Sequence, residues 1–258
     1  MKQKWGQHFL VRERYVHRMI KEAQIQEGDC VLEIGPGRGV LTRHLLEHGA
    51  KVTAIEIDPN LYQHLLQKFE TPSFHLLNQD ILSIPPDQLE QFYATPFKVV
   101  ANLPYNVGTP IMMKLMEIKH QISSVTVMLQ KEVAERICAT PEDKKKYGYL
   151  SIAMDLHCSR KKLFDVPPEA FSPPPKVDSA VIQLIPQKSE WDKDAQFLEW
   201  IKPLFQQRRK TLMNSLFRAY PQETLRLEEE QKVWIGNRRP EQLSTQEWKI
   251  LFLLLTQN

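Results

Sequence analysis

Residues 33–39 are EIGPGRG, and they hold three of the nine glycines in this chain of 258 residues. The mainly apolar residues 31–34 predict a buried strand, and residues 40–48 predict a helix with leucines along one face. Glycine at a strand-to-helix turn lets the backbone adopt positive φ angles and approach a ligand closely. The stretch therefore predicts an α/β fold with a ligand-binding turn after its first strand.

Acidic side chains follow the next two predicted strands. Residues 51–55 lead to Glu56, which follows the glycine turn by about 20 residues, a spacing at which a carboxylate accepts hydrogen bonds from ribose hydroxyls. Residues 74–77 lead to Asp80, which we expect to accept a hydrogen bond from an adenine amino group. The alternative for Asp80 is an ordinary turn aspartate.

The composition of the glycine turn separates two adenosine-containing cofactors. An acid at Glu56 serves NAD and S-adenosylmethionine alike, so that residue does not distinguish them. Glu33 lies two residues before Gly35, where it can organise the loop or meet the ammonium group of an amino acid. The turn also contains Pro36 and lacks the full G-x-G-x-x-G spacing of dinucleotide-binding turns. These details favour S-adenosylmethionine, with Gly35 and Gly37 close to it.

The tetrapeptide NLPY follows residues 97–101, which predict another buried strand. Asn102 offers a side-chain carbonyl as an acceptor. Pro104 disfavours the helical region for Leu103, so the Leu103 carbonyl is held extended. Tyr105 offers a ring on which a base can stack. Two acceptors that draw the hydrogens of an adenine amino group out of the ring plane favour its attack on a methyl donor. The alternative is a proline turn that closes a strand.

Four further segments occur in an order and spacing that resemble the ribosomal RNA adenine N6,N6-dimethyltransferase family, on the branch that modifies small-subunit RNA. They are residues 6–10 (GQHFL), 130–136 (QKEVAER), 147–151 (YGYLS) and 171–181 (FSPPPKVDSAV). With the glycine turn and NLPY, the resemblance covers the chain nearly end to end. One departure is His8, where the family often has asparagine.

The resemblance implies roles for particular residues. The cofactor pocket would be lined by His8, Leu10, Gly35, Gly37, Glu56, Asp80 and Asn102. The catalytic set would be Asn102, Leu103, Pro104, Tyr105 and Phe171. In that set Tyr105 would stack on the target adenine and Phe171 would close its other face. A core aromatic beside three prolines is an equally good interpretation of Phe171, and the two are compatible.

The chain changes its pattern near residue 187. Before that point strands and helices alternate, which predicts a parallel α/β sheet with crossover helices. Residues 150–157 and 177–185 predict two late antiparallel strands at one edge. After it, helices are predicted over residues 191–206, 208–219 and 221–234 and from Ser244, with Glu247 completing a capping box. With the resemblance, this change of pattern implies a Rossmann-like class I methyltransferase domain over residues 1–187 and a helical RNA-binding domain over residues 188–258.

The net charge of +3 is too small to indicate a nucleic acid partner by itself. Basic residues are clustered, however, at 144–146, 160–162, 208–210 and 238–239. Beside an adenine pocket, such clusters predict phosphate contacts. Our best candidates for binding the RNA backbone are Arg208, Arg209 and Lys210.

The three cysteines lack the spacing of a metal or redox motif, so we expect no metal and a reducing compartment. The polar, basic start is not typical of a signal peptide, and the apolar residues 250–255 are too few to span a bilayer. The sequence therefore predicts a cytoplasmic protein that does not bind membranes.

The resemblance implies that two adjacent adenosines in a hairpin loop near the 3′ end of 16S ribosomal RNA become N6,N6-dimethyladenosine. The expected partner is small-subunit RNA within the assembling 30S particle, and nothing in the sequence demands more than a monomer. Three alternatives stay open. They are a large-subunit RNA methyltransferase of the antibiotic-resistance branch, a non-enzymatic RNA- or DNA-binding assembly factor, and a dinucleotide-dependent oxidoreductase.

Overall fold

The structure is a computed structural model that describes residues 8–188, 191–206 and 210–256. These residues form two compact units. The first unit holds residues 8–134 and 158–187, and the second holds residues 135–157 together with the described residues from 188 onward. The sequence pattern placed residues 135–157 in the first domain, whereas the structure groups them with the C-terminal residues.

The first unit is built on β-strands. They are β1 (Phe9–Leu10), β2 (Cys30–Ile34), β3 (Lys51–Ile55), β4 (Phe74–Leu77), β5 (Phe97–Asn102), β6 (Ile122–Gln130), β7 (Cys158–Val166), β8 (Phe171–Ser172) and β9 (Ser179–Pro186). β1 pairs with β8, and the other seven form one sheet in the order β4-β3-β2-β5-β6-β9-β7. The strands from β4 to β6 are parallel, and β9 runs antiparallel to both β6 and β7. The predicted α/β class is confirmed.

Helices alternate with these strands. In the first unit they are α1 (Glu13–Glu22), α2 (Val40–Glu47), α3 (Pro59–Lys68), α4 (Pro86–Glu90) and α5 (Gly108–Glu117), and α6 (Lys131–Cys138) leads into the second unit. The second unit has α7 (Tyr149–Asp155), α8 (Asp194–Ile201), α9 (Leu212–Ala219), α10 (Pro221–Leu225), α11 (Glu229–Ile235) and α12 (Thr245–Thr256). The apolar residues of the central strands, such as Val31, Val99 and Val127, are fully buried between the layers.

The order of the strands determines where a ligand can bind. From β2 the chain proceeds outward through β3 to β4, and β5 then returns to the other side of β2. At such a reversal the loops that follow neighbouring strands diverge, which leaves a crevice at the carboxyl ends of the strands. The glycine turn follows β2 and NLPY begins at the end of β5, so both motifs stand at this crevice.

The predicted strand over residues 150–157 is wrong, because most of these residues lie in helix α7, which ends at Asp155, and the edge strand β7 begins only at Cys158. Residues 150–154 of α7 are all buried, and four of these five are apolar, so the segment shows no polar face with helical periodicity. Such a segment does not distinguish a buried strand from a buried helix. The helix begins where the Ser151 hydroxyl accepts a hydrogen bond from the Gly148 N–H at 3.1 Å.

The C-terminal helices are shorter than their predicted bounds. The predicted helix over 191–206 is α8 followed by a 3₁₀ turn over Lys202–Phe205, where Pro203 cannot donate a backbone hydrogen bond. The predicted helix over 221–234 is divided into α10 and α11. The predicted capping box is present, since Ser244 accepts from the Glu247 N–H and Glu247 accepts from the Ser244 N–H.

Within the residues that the structure describes, no helix combines the length and the apolar character that crossing a membrane requires.

Candidate cofactor and adenine site

A cavity of about 210 Å³ lies at the carboxyl ends of the parallel strands. The turns after β2, β3, β4 and β5 form it together with β1. The structure brings together here every residue expected to contact the cofactor, namely His8, Leu10, Gly35, Gly37, Glu56, Asp80 and Asn102. Leu103, Pro104 and Tyr105 also line the cavity, so the glycine turn and NLPY contribute to the same site.

The glycine turn presents backbone to the cavity because its glycines take left-handed conformations. Gly35 has φ +66° and its N–H donates to the Ile55 carbonyl at 2.9 Å, which ties the turn to β3. Gly37 has φ +59°, and a Cβ atom built there would lie 3.1 Å from the ring of Phe9 in β1. A side chain at Gly37 would therefore push β1 away from the turn that it covers.

Glu56 joins two loops at the rim of the cavity. Its side chain is buried, with 3% exposure, and one carboxylate oxygen accepts from the Gly37 N–H at 3.1 Å. The other oxygen accepts from the Asp58 N–H at 3.0 Å. Burial raises the pKa of Glu56, and these two hydrogen bonds oppose that effect. Each carboxylate oxygen has a second lone pair, so the fixed carboxylate can still accept hydrogen bonds from a ribose.

Glu33 is a second buried acid on the cavity wall. It is 1% exposed, and among the described residues its Oε2 has no hydrogen-bond partner. Burial raises the pKa of Glu33 to about 8. The carboxyl is therefore largely protonated at neutral pH until a cation approaches it. The sequence located this acid beside the turn, but it did not show that the carboxyl is buried next to Thr42 of α2.

Asp80 lines the cavity and also begins a 3₁₀ turn over Ile81–Ser83. Its Oδ1 accepts from the Leu82 N–H at 2.9 Å. This hydrogen bond is the turn role that the sequence offered as the alternative. Because the carboxylate stands at the cavity as well, the capping role and the ligand role are compatible.

Asn102 is the polar group whose geometry is most informative. Its Nδ2 donates to the His8 carbonyl at 3.3 Å, which determines which end of the carboxamide is the acceptor. Its Oδ1 is buried and has no partner among the described residues. A buried acceptor without a donor is costly, by about 1–3 kcal/mol. The unmatched oxygen therefore indicates a ligand that brings an N–H or O–H group.

The rest of NLPY is held by neighbouring strands. Leu103 is buried, and its N–H donates to the Met128 carbonyl of β6 at 3.0 Å. Tyr105 is half-buried, and its hydroxyl hydrogen-bonds to the hydroxyl of Ser179 at the start of β9. The Tyr105 ring lies 5.3 Å from the ring of His8, measured between centroids. The Leu103 backbone and the Tyr105 ring thus have fixed positions.

Phe171 is placed apart from the other candidates. It is 4% exposed, pairs with Leu10 across β1 and β8, and packs in the hydrophobic core. It is not among the described residues that line the cavity. Its position here is that of the core aromatic, and its contact with a target base stays a prediction.

The candidate RNA-binding cluster is only partly described. Arg208 and Arg209 lie outside the described residues. Lys210 is exposed and stands before α9, which begins at Leu212 with Thr211 as its N-cap. Of the predicted helix over residues 208–219, Lys210 and Thr211 are therefore not helical. The Thr211 side chain accepts a hydrogen bond from the Asn214 N–H, and this cap begins the helix at Leu212.

Sequence reasoning missed the apolar walls of the cavity. Ile57, Ile81, Val107 and Ile111 line it together with Met19 of α1. Ile57 and Ile81 directly follow the two acids already singled out, so their neighbourhood was a usable signal. Met19 contacts the site only through the packing of α1, which no local pattern reveals.

One group among the described residues has the composition of a metal site: Glu13, His17 and His44, whose candidate ligand atoms all lie within 4.8 Å of one another. The Arg43 guanidinium donates to Glu13 and lies 3.2 Å from Nε2 of His44. Because this guanidinium already places a positive charge beside Glu13, we interpret the three side chains as part of an ion-pair cluster between α1 and α2.

Comparison with known proteins places this geometry in a family. The sequence model described as "Ribosomal RNA adenine dimethylase" matches residues 1–256. "Ribosomal RNA small subunit methyltransferase A" of Alkaliphilus metalliredigens is 41% identical over 257 residues, covering 95% of this chain and 88% of that protein. The protein of the same name from Prosthecochloris aestuarii is 38% identical, covering 98% of this chain and 93% of its own length.

Two solved structures share the fold. A dimethyladenosine transferase from Plasmodium falciparum has a TM-score of 0.74 at 24% identity, covering 95% of this chain and 96% of its own. The 23S rRNA methyltransferase ErmE has a TM-score of 0.69 at 27% identity, covering 96% of this chain and 100% of its own. The match of the family model from residue 1 to residue 256 includes the glycine turn, NLPY and the late proline-rich motif, so this chain belongs to the ribosomal RNA adenine dimethylase family.

Proposed function

We propose that the protein transfers methyl groups from S-adenosylmethionine to the exocyclic amino groups of two adjacent adenosines in small-subunit ribosomal RNA, giving N6,N6-dimethyladenosine. The observation that carries this proposal is the buried Oδ1 of Asn102, which lies beside the glycine turn and has no partner in the described part of the chain. The choice of RNA is supported by relatives named for the small subunit, which are about 40% identical to this chain.

The residues of the cavity fit S-adenosylmethionine. When bound, it supplies a methyl group on a sulfonium, which is already activated toward nucleophiles. The Gly35 and Gly37 backbone would hold it closely, Glu56 would accept from its ribose, and Asp80 would accept from its adenine amino group. His8 and Leu10 complete the pocket from the side of β1. Glu33 offers a carboxylate to the ammonium group, and its raised pKa makes that contact proton-linked.

The target adenine would be held by its amino group. In the first transfer the Asn102 Oδ1 and the Leu103 carbonyl would accept the two amino hydrogens, which pulls them from the ring plane and frees the nitrogen lone pair. In the second transfer one hydrogen is left for these two acceptors. The chain then contributes orientation, which is worth up to about 7–11 kcal/mol of a reaction barrier. As the bond from nitrogen to the methyl carbon forms, the bond from that carbon to sulfur breaks, which would leave a neutral thioether. No strong base is required, because the methylated nitrogen is acidic and its proton passes to water.

The target base must leave its stack to reach this acceptor, at a cost of a few kcal/mol that is smallest in a loop. Tyr105 would return part of that energy by stacking on the base. Phe171 would close the other face if the β1–β8 pair shifted on binding. We assign the helical residues after 187, with Arg208, Arg209 and Lys210, to RNA binding, and we propose that the protein acts as a monomer on the assembling 30S particle.

The experiment that tests the proposal uses labelled S-adenosylmethionine and unmethylated small subunits, followed by RNA digestion and mass identification of the labelled nucleoside. Dimethyladenosine at one adjacent pair is the expected result. Labelling of large-subunit RNA alone would instead support the resistance-branch activity, which the likeness to ErmE keeps as the second candidate. Tight binding of the particle without methyl incorporation would support a non-enzymatic assembly factor.

A further inference from the structure

The hydroxyl of Tyr105 has one protein partner in the first unit, and that partner is itself rigid. It hydrogen-bonds to Oγ of Ser179, whose side chain is 0% exposed. Ser179 is the first residue of β9, where it pairs with Gln130 of β6 on one side and with Val166 of β7 on the other. Because Ser179 is paired on both sides, its backbone cannot move with the tyrosine. The hydrogen bond therefore restrains the position of the Tyr105 hydroxyl rather than that of Ser179.

An ion-pair cluster fixes the segment immediately before Ser179. The Asp178 carbonyl accepts from the Lys131 N–H at 2.9 Å. The Lys131 ammonium lies 3.6 Å from the Asp178 carboxylate and 2.8 Å from that of Asp165. Residues 171–181, which we call the late motif, are thus held beside Lys131, just after β6, by a backbone hydrogen bond and by ion pairs.

We propose that Ser179 is a positioning residue for methyl transfer, which acts by holding the Tyr105 ring at the angle at which the target adenine stacks on it. The proposal rests on the proposed function, in which Tyr105 is the stacking platform. It adds a role for the late motif that is distinct from base contact by Phe171: this motif reaches the site through a hydroxyl rather than through a ring.

The physical reason lies in the torsions of a tyrosine. The ring is half-buried and touches His8 on one side, so packing alone restrains it only in part. A hydrogen bond at the phenolic oxygen restrains the far end of the side chain, where a small torsion produces the largest displacement. If that bond is lost, the ring and the base on it sample more orientations, and fewer of them present the amino group to Asn102. The turnover number should fall while cofactor affinity is unchanged.

A double-mutant cycle tests the proposal. Tyr105→Phe, Ser179→Ala and the double variant are compared with the unaltered protein for kcat, for KM of unmethylated small subunits and for the Kd of S-adenosylmethionine. Each single variant should lower kcat by about tenfold, the effect of one hydrogen bond on a barrier. The double variant should be no slower than either single one, because both remove the same bond. Ser124→Ala, a buried serine of β6 outside the cavity, is the matched control and should leave kcat unchanged.

The outcomes are distinct. Additive losses, in which Ser179→Ala slows Tyr105→Phe by a further factor of ten, would show that Ser179 does not act through Tyr105. Unaltered kcat in Ser179→Ala would overturn the proposal outright. A lost affinity for S-adenosylmethionine in either single variant would reveal a general structural defect and also count against it. Failure of the proposed function is recognised separately, since the unaltered protein would then transfer no methyl group to the small subunit.

Discussion

The carboxamide of Asn102 is oriented by the hydrogen bond that its Nδ2 donates, and its Oδ1 is left to accept a hydrogen bond from a ligand. Replacement by alanine removes both the bond to the His8 carbonyl and the free acceptor. We expect Asn102→Ala to reduce methyl transfer by at least about 10²-fold, the usual loss when a group that stabilises charge in a transition state is removed. RNA binding should largely persist, since phosphate contacts dominate affinity. Single-turnover rates and filter binding measure the two quantities.

Asn60→Ala provides the control for that experiment, because Asn60 is an exposed amide of α3 outside the cavity. If Asn102→Ala turned over near the unaltered rate, the account of Asn102 as the amine acceptor would be wrong.

Glu33 gives a prediction about pH. Its pKa is about 8 in the folded protein and 4.5 ordinarily, so between these values the folded state binds more protons than the unfolded state. Stability therefore falls as pH rises through this window. Glu33→Gln removes the ionisation, so the Tm of the variant should match that of the unaltered protein near pH 4, below the unfolded pKa, and should exceed it by a growing margin up to pH 8. Thermal unfolding without cofactor measures the difference.

The exposed Glu70 is the matched control, since Glu70→Gln should shift Tm by the same small amount at both pH values. A Tm difference for Glu33→Gln that did not grow with pH would mean that the Glu33 carboxyl ionises normally in the folded protein.

At the level of single residues, the sequence locates the site because polar groups at the carboxyl ends of adjacent parallel strands must converge. Glu56, Asp80 and Asn102 stand at the ends of three such strands, and all three line the cavity. The burial of Glu33 and the orientation of the Asn102 carboxamide could not be predicted in this way. The first depends on how the following helix α2 packs beside Glu33, and the second depends on the His8 carbonyl, which is far away in the sequence.

Gly39, the N-cap of helix α2, tests how closely that helix packs on α3. It has φ +73°, and a Cβ there would lie 2.5 Å from the Phe69 ring and 2.8 Å from the Leu65 side chain. Gly28 offers a matched position, with φ +83° and no atom within 4 Å of its Cβ. Both alanine variants suffer the left-handed backbone penalty of about 1–2 kcal/mol. Gly39→Ala should lose about 1–3 kcal/mol more through overpacking.

Urea unfolding followed by circular dichroism would measure both free energies. Equal losses at Gly28 and Gly39 would mean that Phe69 and Leu65 move aside without cost, and the close approach of α2 and α3 would then play no part in stability.

Among the elements, local patterns succeeded where one face of a segment is polar. The predicted strand over 74–77 has the bounds of β4, and the helix after the glycine turn agrees with α2 to within a residue. Local patterns failed at α7, because its burial on nearly all sides removes the periodicity that distinguishes a helix from a strand. The interruption at Pro203 was visible in the sequence, since proline disfavours a continuing helix.

On the scale of the whole molecule, the change of pattern at residue 187 predicts two domains, and the second compact unit takes up the chain again at Lys188. The sequence could not show that residues 135–157 leave the first unit and join the second. That arrangement is non-local: the Tyr147 hydroxyl lies 3.4 Å from the Thr245 hydroxyl, far away in the chain. A segment inserted into one unit but packed in another has no signature in its own composition.

The distribution of charge, rather than the small net charge, underlies the last prediction. Each phosphate that a cation neutralises contributes about 0.7–0.9 to the slope of log K against log salt concentration. If Arg208, Arg209 and Lys210 bind RNA phosphates, their replacement by glutamine should weaken binding to unmethylated small subunits and flatten that slope by about 2. Lys202 and Lys232 are paired with Glu199 and Glu229, so their glutamine variants change net charge at positions already neutralised. The double variant Lys202→Gln/Lys232→Gln should leave the slope nearly unaltered. Equal slopes for the cluster variant and the unaltered protein would place the RNA backbone on another surface.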